Sequence, residues 1–113
     1  MRISVAADED YPDVAERVAY AVRDHRADRG VLLCGTGMGV AIAANKVPGI
    51  RAALCGDAET AAGARKWNDA NVLALSLRAT SEAVLAEILD AWFGAEPSPD
   101  EDDRANVAHL DEI

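Results

Sequence analysis

Four short stretches that are apolar almost without interruption constrain this chain more than any other feature: RISVAA (2–7), GVLLC (30–34), RAALC (51–55) and NVLALS (71–76). A strand covered on one face alternates apolar with polar residues, so runs without alternation mark strands buried on both faces, as in parallel sheets. Between these runs the apolar residues recur at helical spacing. Val14, Val18, Ala21 and Val22 form one stripe of a helix expected over about 12–26, with Pro12 suited to its first turn. A second helix is expected over 37–45, ending before Pro48 and Gly49, and a third over 58–67. Thr80 or Ser81 can cap a fourth, whose Val84, Leu85, Ile88, Leu89 and Trp92 share a face before Gly94 and Pro97 stop it. This alternation, with right-handed crossovers, predicts a small doubly wound, Rossmann-like α/β fold: a parallel sheet of about four strands with helices on both faces.

A chain of 113 residues, half of them apolar, can bury one core but not two, so residues 1–94 are expected to form a single α/β domain. EPSPDEDD reads as an exposed acidic linker opening an acidic tail over 95–113, mobile until a ligand or partner holds it. The net charge of −9 argues against nucleic acid or an anionic membrane as partner. MRISVAADED does not read as a signal peptide and no apolar run is long enough to span a bilayer, so a cytoplasmic location is expected. There Cys34 and Cys55 would stay reduced. With His25 and His109 they show no zinc-ligand spacing, and neither a metal nor a cofactor is expected.

In a doubly wound sheet ligands gather beyond the carboxyl ends of the strands, which brings forward 7–9, 34–37, 55–57 and Ser76. Gly35, Gly37 and Gly39 allow positive φ and close backbone approach, so successive amides can converge on one anion at a helix start. Cys34 beside that helix start would have its thiolate favoured, as base or nucleophile, and Thr36 can donate a hydroxyl proton. The plainer alternative is a tight turn in which Cys34 is a small buried hydrophobe. A dinucleotide site, with Asp57 on a ribose, fits less well, because the spacing is G-x-G-x-G and one short chain cannot supply two nucleotide-binding halves.

DYPDVAERVAYAV, ADRGVLLCGTGMGVAIAANKVPGIRAALCGD and ARKWNDANVLALSLR together resemble the ribose-5-phosphate isomerase B family, which also includes the galactose-6-phosphate isomerase subunits. The similarity covers about Asp10 to Phe93, with a looser match of MRISVAADE to the family's opening strand. The resemblance implies a metal-independent aldose–ketose isomerase that works through an enediolate, in sites shared between the subunits of a dimer. It implies Cys34 as base, Thr36 as catalytic hydroxyl and the Gly35, Gly37, Met38 and Gly39 stretch as oxyanion site. It further implies Asn68 as a substrate contact and Arg104, with His109 nearby, as what remains of a phosphate-binding tail.

Two family histidines are replaced, one by Glu9 after Asp8 and the ring-opening one by Trp67. A helix and an edge strand that family members carry before DYPD are absent, leaving the first strand as an edge. Asp8 stands where it can meet a substrate hydroxyl or cap a turn. Trp67 either closes the core as a helix-end aromatic or floors an altered pocket. Arg51, at the start of a strand, suits a structural or surface role, and Arg65 and Lys66 suit solvated positions at a helix end. The expected function is isomerisation of a small sugar phosphate; the alternative is a non-catalytic or half-site partner subunit. A homodimer is expected, with the helix ending at Trp67 facing the partner's Cys34 loop, or a higher or hetero-oligomer. Without the ring-opening histidine, short or open-chain sugar phosphates are the expected substrates.

Overall fold

The computed structural model describes residues 1–7 and 10–113. The elements run β1 (Ile3–Ala7), α1 (Tyr11–Arg23), β2 (Arg29–Cys34), α2 (Met38–Asn45), β3 (Ala52–Leu54), α3 (Ala58–Asn68), β4 (Val72–Ser76), α4 (Glu82–Gly94) and α5 (Glu101–Glu112). Each apolar run becomes a strand because both of its faces find cover. Leu32, Cys34, Val72 and Ala74 point to one side of the sheet, into a core with Val14, Val18 and Val22 of α1 and Val40 and Ala44 of α2. Val31, Leu73 and Leu75 point to the other, against Ala61 and Ala64 of α3 and Ile88 and Trp92 of α4. The sheet is wholly parallel in the order β1-β2-β4-β3, with Val31 paired to both Val5 and Leu73. The four strands, the parallel sense and the helices on both faces are as the sequence predicts.

Several boundaries differ for local reasons. α1 stops at Arg23, short of 26, because His25 takes a left-handed φ of 60° and the Arg26 amide turns back to the Ala21 carbonyl. β3 keeps only three residues, and Asn45 finishes its outer edge: the Ala52 amide donates to Asn45 Oδ1 at 2.8 Å and Asn45 Nδ2 donates to the Ala52 carbonyl at 3.0 Å. Ser81, not Thr80, caps α4, accepting from the Val84 amide.

The acidic tail is not a linker throughout. Asp100 accepts from the amides of Asp102 and Asp103, and three acidic residues fill the first turn of α5, where the helix dipole favours them. The helix lies along α3, tied by Arg51 Nη1 to Asp111 at 2.9 Å. β1 is an edge, as expected, and Val5 on its outer face is 62 % exposed. Among the described residues no helix is long and apolar enough to cross a membrane.

Candidate active site

The stretch between β2 and α2 explains its glycines one at a time. Gly37, the α2 N-cap, takes φ +75°, and a Cβ there would stand 2.5 Å from Leu54 Cδ1 and 2.8 Å from the Leu75 carbonyl carbon. It satisfies both conformation and space, and only glycine does so. Gly39 has no positive φ; a Cβ on it would press within 2.9 Å of the Tyr11 ring. Gly35 needs neither, since a Cβ there would meet nothing within 4 Å. Positive φ, which all three glycines allow, is confined to Gly37, because one left-handed residue suffices to turn the chain into the helix. The loop after β4 zips onto this turn: the Leu77 amide donates to the Cys34 carbonyl at 3.0 Å, the Arg78 amide to that of Gly35 at 3.1 Å, and Ser76 Oγ also donates to Gly35 at 3.0 Å.

Cys34 ends β2 at 8 % exposure. Burial alone would raise its thiol, but the amides of Val40, Gly37, Thr36 and Gly39 face it and hold it below its ordinary value. These amides thus act on the Cys34 sulfur. Cys55 has no such partners; burial, with Asp57 adding repulsion, pushes its thiol up to about 11. Thr36 Oγ1 accepts from the Met38 amide at 3.3 Å, which leaves its own proton free to donate, and both residues are exposed.

Cys34, Gly35, Thr36 and Gly39 line an open cleft of about 760 Å³ with Ala7, Tyr11 and Leu77. Thr36 also borders a second hollow of about 450 Å³, whose rim carries Ser76, Arg78 and Thr80. Tyr11 and Arg78, which the motif reading misses, line these two hollows. Both lie where a parallel sheet places its ligands, Arg78 just past the carboxyl end of β4 and Tyr11 at the start of the helix after β1, and that rule is the signal that finds them. Gly37 is buried beneath the cleft instead of lining it. Asp8, read as a hydroxyl contact, lies outside the described residues.

The other expected site residues gather elsewhere. α3 begins at the carboxyl end of the sheet and its 11 residues carry Trp67 and Asn68 about 14–15 Å along its axis, toward the amino end. There Trp67 and Arg104 line a separate cleft of about 390 Å³ with Lys66, Pro97 and Ser98, and Asn68 is exposed beside it. Trp67 does not close the core: it is 54 % exposed, its ring packed against Gly63, and the buried aromatic is Trp92. Arg65 is not solvated but 5 % exposed, because Nη1 donates to Asp69 Oδ1 at 2.9 Å and to the Ala70 carbonyl at 2.7 Å. Asp57 caps α3 by accepting from the Thr60 amide at 2.7 Å, which gives that acid a local role with no ribose. Among the described residues no three His, Cys, Asp or Glu side chains are placed to hold a metal ion.

The family model for Ribose/Galactose Isomerase matches residues 2–110. The chain belongs to that family. It is 52 % identical over 86 residues to the D-erythrulose-4-phosphate isomerase of Pectobacterium atrosepticum, covering 76 % of this chain and 57 % of the relative. It is 47 % identical over 87 residues to ribose-5-phosphate isomerase B of Escherichia coli, covering 77 % and 58 % respectively. The chain thus spans less than three fifths of the length of these two relatives. Ribose-5-phosphate isomerase B of Clostridium thermocellum superposes with a TM-score of 0.96 at 35 % identity, covering all of this chain and 97 % of that structure. The fold expected of a ribose/galactose isomerase is therefore the fold present.

Proposed function

We propose that the chain isomerises a short sugar phosphate between aldose and ketose, with Cys34 as the base. The observation that carries the reading is the Cys34 thiol, held below its ordinary value by four backbone amides at the head of an open cleft. A thiolate there removes the proton from the carbon next to the substrate carbonyl. The electron pair moves into a carbon–carbon double bond and charge develops on the carbonyl oxygen, giving an enediolate. Thr36, whose hydroxyl proton is free, donates to that oxygen, and the backbone amides beside Cys34 lower the cost of the charge. The thiol then returns its proton to the neighbouring carbon as the hydroxyl proton passes between the two oxygens. One hydrogen has changed carbons, and no external oxidant or reductant is used. Arg78 is the nearby cation suited to the phosphate. A non-catalytic subunit would have no chemical use for a stabilised thiolate, which favours the enzymatic reading.

Trp67, Asn68 and Arg104 stand at the far end of the sheet from Cys34, so a site that uses both sets takes them from two copies of the chain. That separation supports a homodimer with shared sites. Trp67 in the ring-opening position supports a substrate that needs no opening. A four-carbon ketose phosphorylated on its terminal oxygen has no hydroxyl placed to close a five- or six-membered ring. The relative 52 % identical to this chain is named for such a substrate, erythrulose 4-phosphate.

Complementation tests the proposal. Cys34→Ala and Arg104→Ala should each isomerise erythrulose 4-phosphate poorly alone. Mixed after unfolding and refolding together, they should recover roughly a quarter of wild-type turnover, since half the dimers carry one intact site. Full activity of Cys34→Ala alone would reject the base, and no recovery on mixing would reject the shared site.

A further inference from the structure

We propose that Arg51 is a positioning residue that, by holding Asp111, docks α5 so that Arg104 stands over Trp67. The inference rests on the reading of Trp67 and Arg104 as the second half of the site. Arg51 lies at the amino end of the sheet, well away from Cys34, yet its side chain bonds to residues 18 and 60 positions along the chain. Its Nε donates to the Asp69 carbonyl at 2.9 Å, its Nη2 faces Asp69 Oδ2 at 3.5 Å, and its Nη1 donates to both Asp111 oxygens at 2.9 and 3.1 Å. One guanidinium thus grips the end of α3 and the end of α5 together.

Both grips bear on the cleft. Asp69 is a non-glycine residue at φ 45°, directly after Trp67 and Asn68, and it is also held by Arg65 Nη1 at 2.9 Å. Fixing Asp69, which caps α3, fixes the end of the helix that carries Trp67 and Asn68. On the other side, α5 has little else to hold it: none of its residues is buried, and Leu110 is 45 % exposed. Apolar burial therefore contributes little to its docking. Ahead of the helix the Ser98 amide donates to the Lys66 carbonyl at 2.7 Å, which ties down the entry but leaves the rotation of the helix free. Asp111 and Arg104 are seven residues apart, so they lie on nearly one face, about 10 Å apart along the axis. A helix held at Asp111 presents Arg104 to the Trp67 cleft; one released there does not.

Asp111→Asn is the direct test, because Asp111 is exposed and its loss leaves Arg51 bonded to Asp69. Amide exchange over 101–112 should accelerate by about tenfold or more while that of β4 stays unchanged. The KM for erythrulose 4-phosphate should rise about fivefold with kcat within about twofold. Added to Arg104→Ala, the same change should alter KM by less than about 1.5-fold, because its effect passes through Arg104. Unchanged exchange in Asp111→Asn, or a KM effect that simply adds to that of Arg104→Ala, overturns the positioning role alone. No turnover by the wild type overturns the reading of the site and the positioning role with it.

Discussion

Cys34 ends β2 and Cys55 follows β3, the two strands that flank β4, and their thiols are shifted in opposite directions. Both are buried and both close apolar runs, but Cys55 is buried more deeply and the turns that follow the two differ. After Cys34 the chain bends so that four amides offset the cost of burial at the sulfur; at Cys55 burial raises the thiol unopposed, and the Asp57 carboxylate adds repulsion.

Alkylation should report that difference. Iodoacetamide should modify Cys34 faster than Cys55 at neutral pH, with the pH–rate profile of Cys34 inflecting below that of an ordinary thiol. Mass mapping of the two cysteine peptides over time checks this, and equal, slow labelling would restore the purely structural reading of Cys34.

The high value at Cys55 carries a stability consequence. A thiol raised from an unfolded value of about 8.5 to about 11 favours the native state while it is neutral. That contribution is fully present below the unfolded value and disappears as pH rises through the native one. The fold should lose on the order of 3 kcal/mol between these limits through this group. Cys55→Ala should flatten the alkaline limb of the urea-midpoint profile, and an unchanged limb would assign the loss to other groups.

Gly37 and Gly35 should respond oppositely to alanine. Gly37→Ala meets a left-handed φ and a Cβ collision with Leu54 and the Leu75 backbone, and should cost on the order of 3 kcal/mol. Gly35→Ala meets open space and should leave the thermal midpoint within about 2 °C of wild type. Thermal unfolding of the two variants decides it.

Much of this was legible in the sequence, for reasons particular residues show. The four strands were readable because Leu32 and Leu73 need opposite faces, and unbroken apolar runs are the signature of that need. The Cys34 turn was readable because Gly37 admits no substitute. α5 was not, since its thin apolar stripe gives no strong period and its docking depends on an ion pair between residues 60 positions apart. Arg65 was read as solvated for a similar reason: its burial depends on the Asp69 carboxylate and the Ala70 carbonyl, whose approach only the folded chain determines. Arg78 closes the stretch ARKWNDANVLALSLR, but the resemblance implies no role for it; its place just past the carboxyl end of β4 marks it.

Trp67 sets the substrate prediction. Wild type should prefer erythrulose 4-phosphate to ribulose 5-phosphate by about tenfold or more in kcat/KM, and Trp67→His should narrow the gap by gaining on the pentose. Steady-state kinetics on both sugars for both proteins checks this. A wild type that favours the pentose, or a histidine variant that gains nothing, would mean that another group opens the ring or that none needs to.

The most direct test of the central claim is deuterium uptake from solvent during turnover of erythrulose 4-phosphate, read by proton NMR at the carbons beside the carbonyl. Wild type should wash deuterium into those positions as it interconverts ketose and aldose, and Cys34→Ala should slow both exchange and isomerisation by about 10³-fold. Exchange that persists in Cys34→Ala within about tenfold of wild type would contradict the account, because the proton would then be leaving to a base other than Cys34.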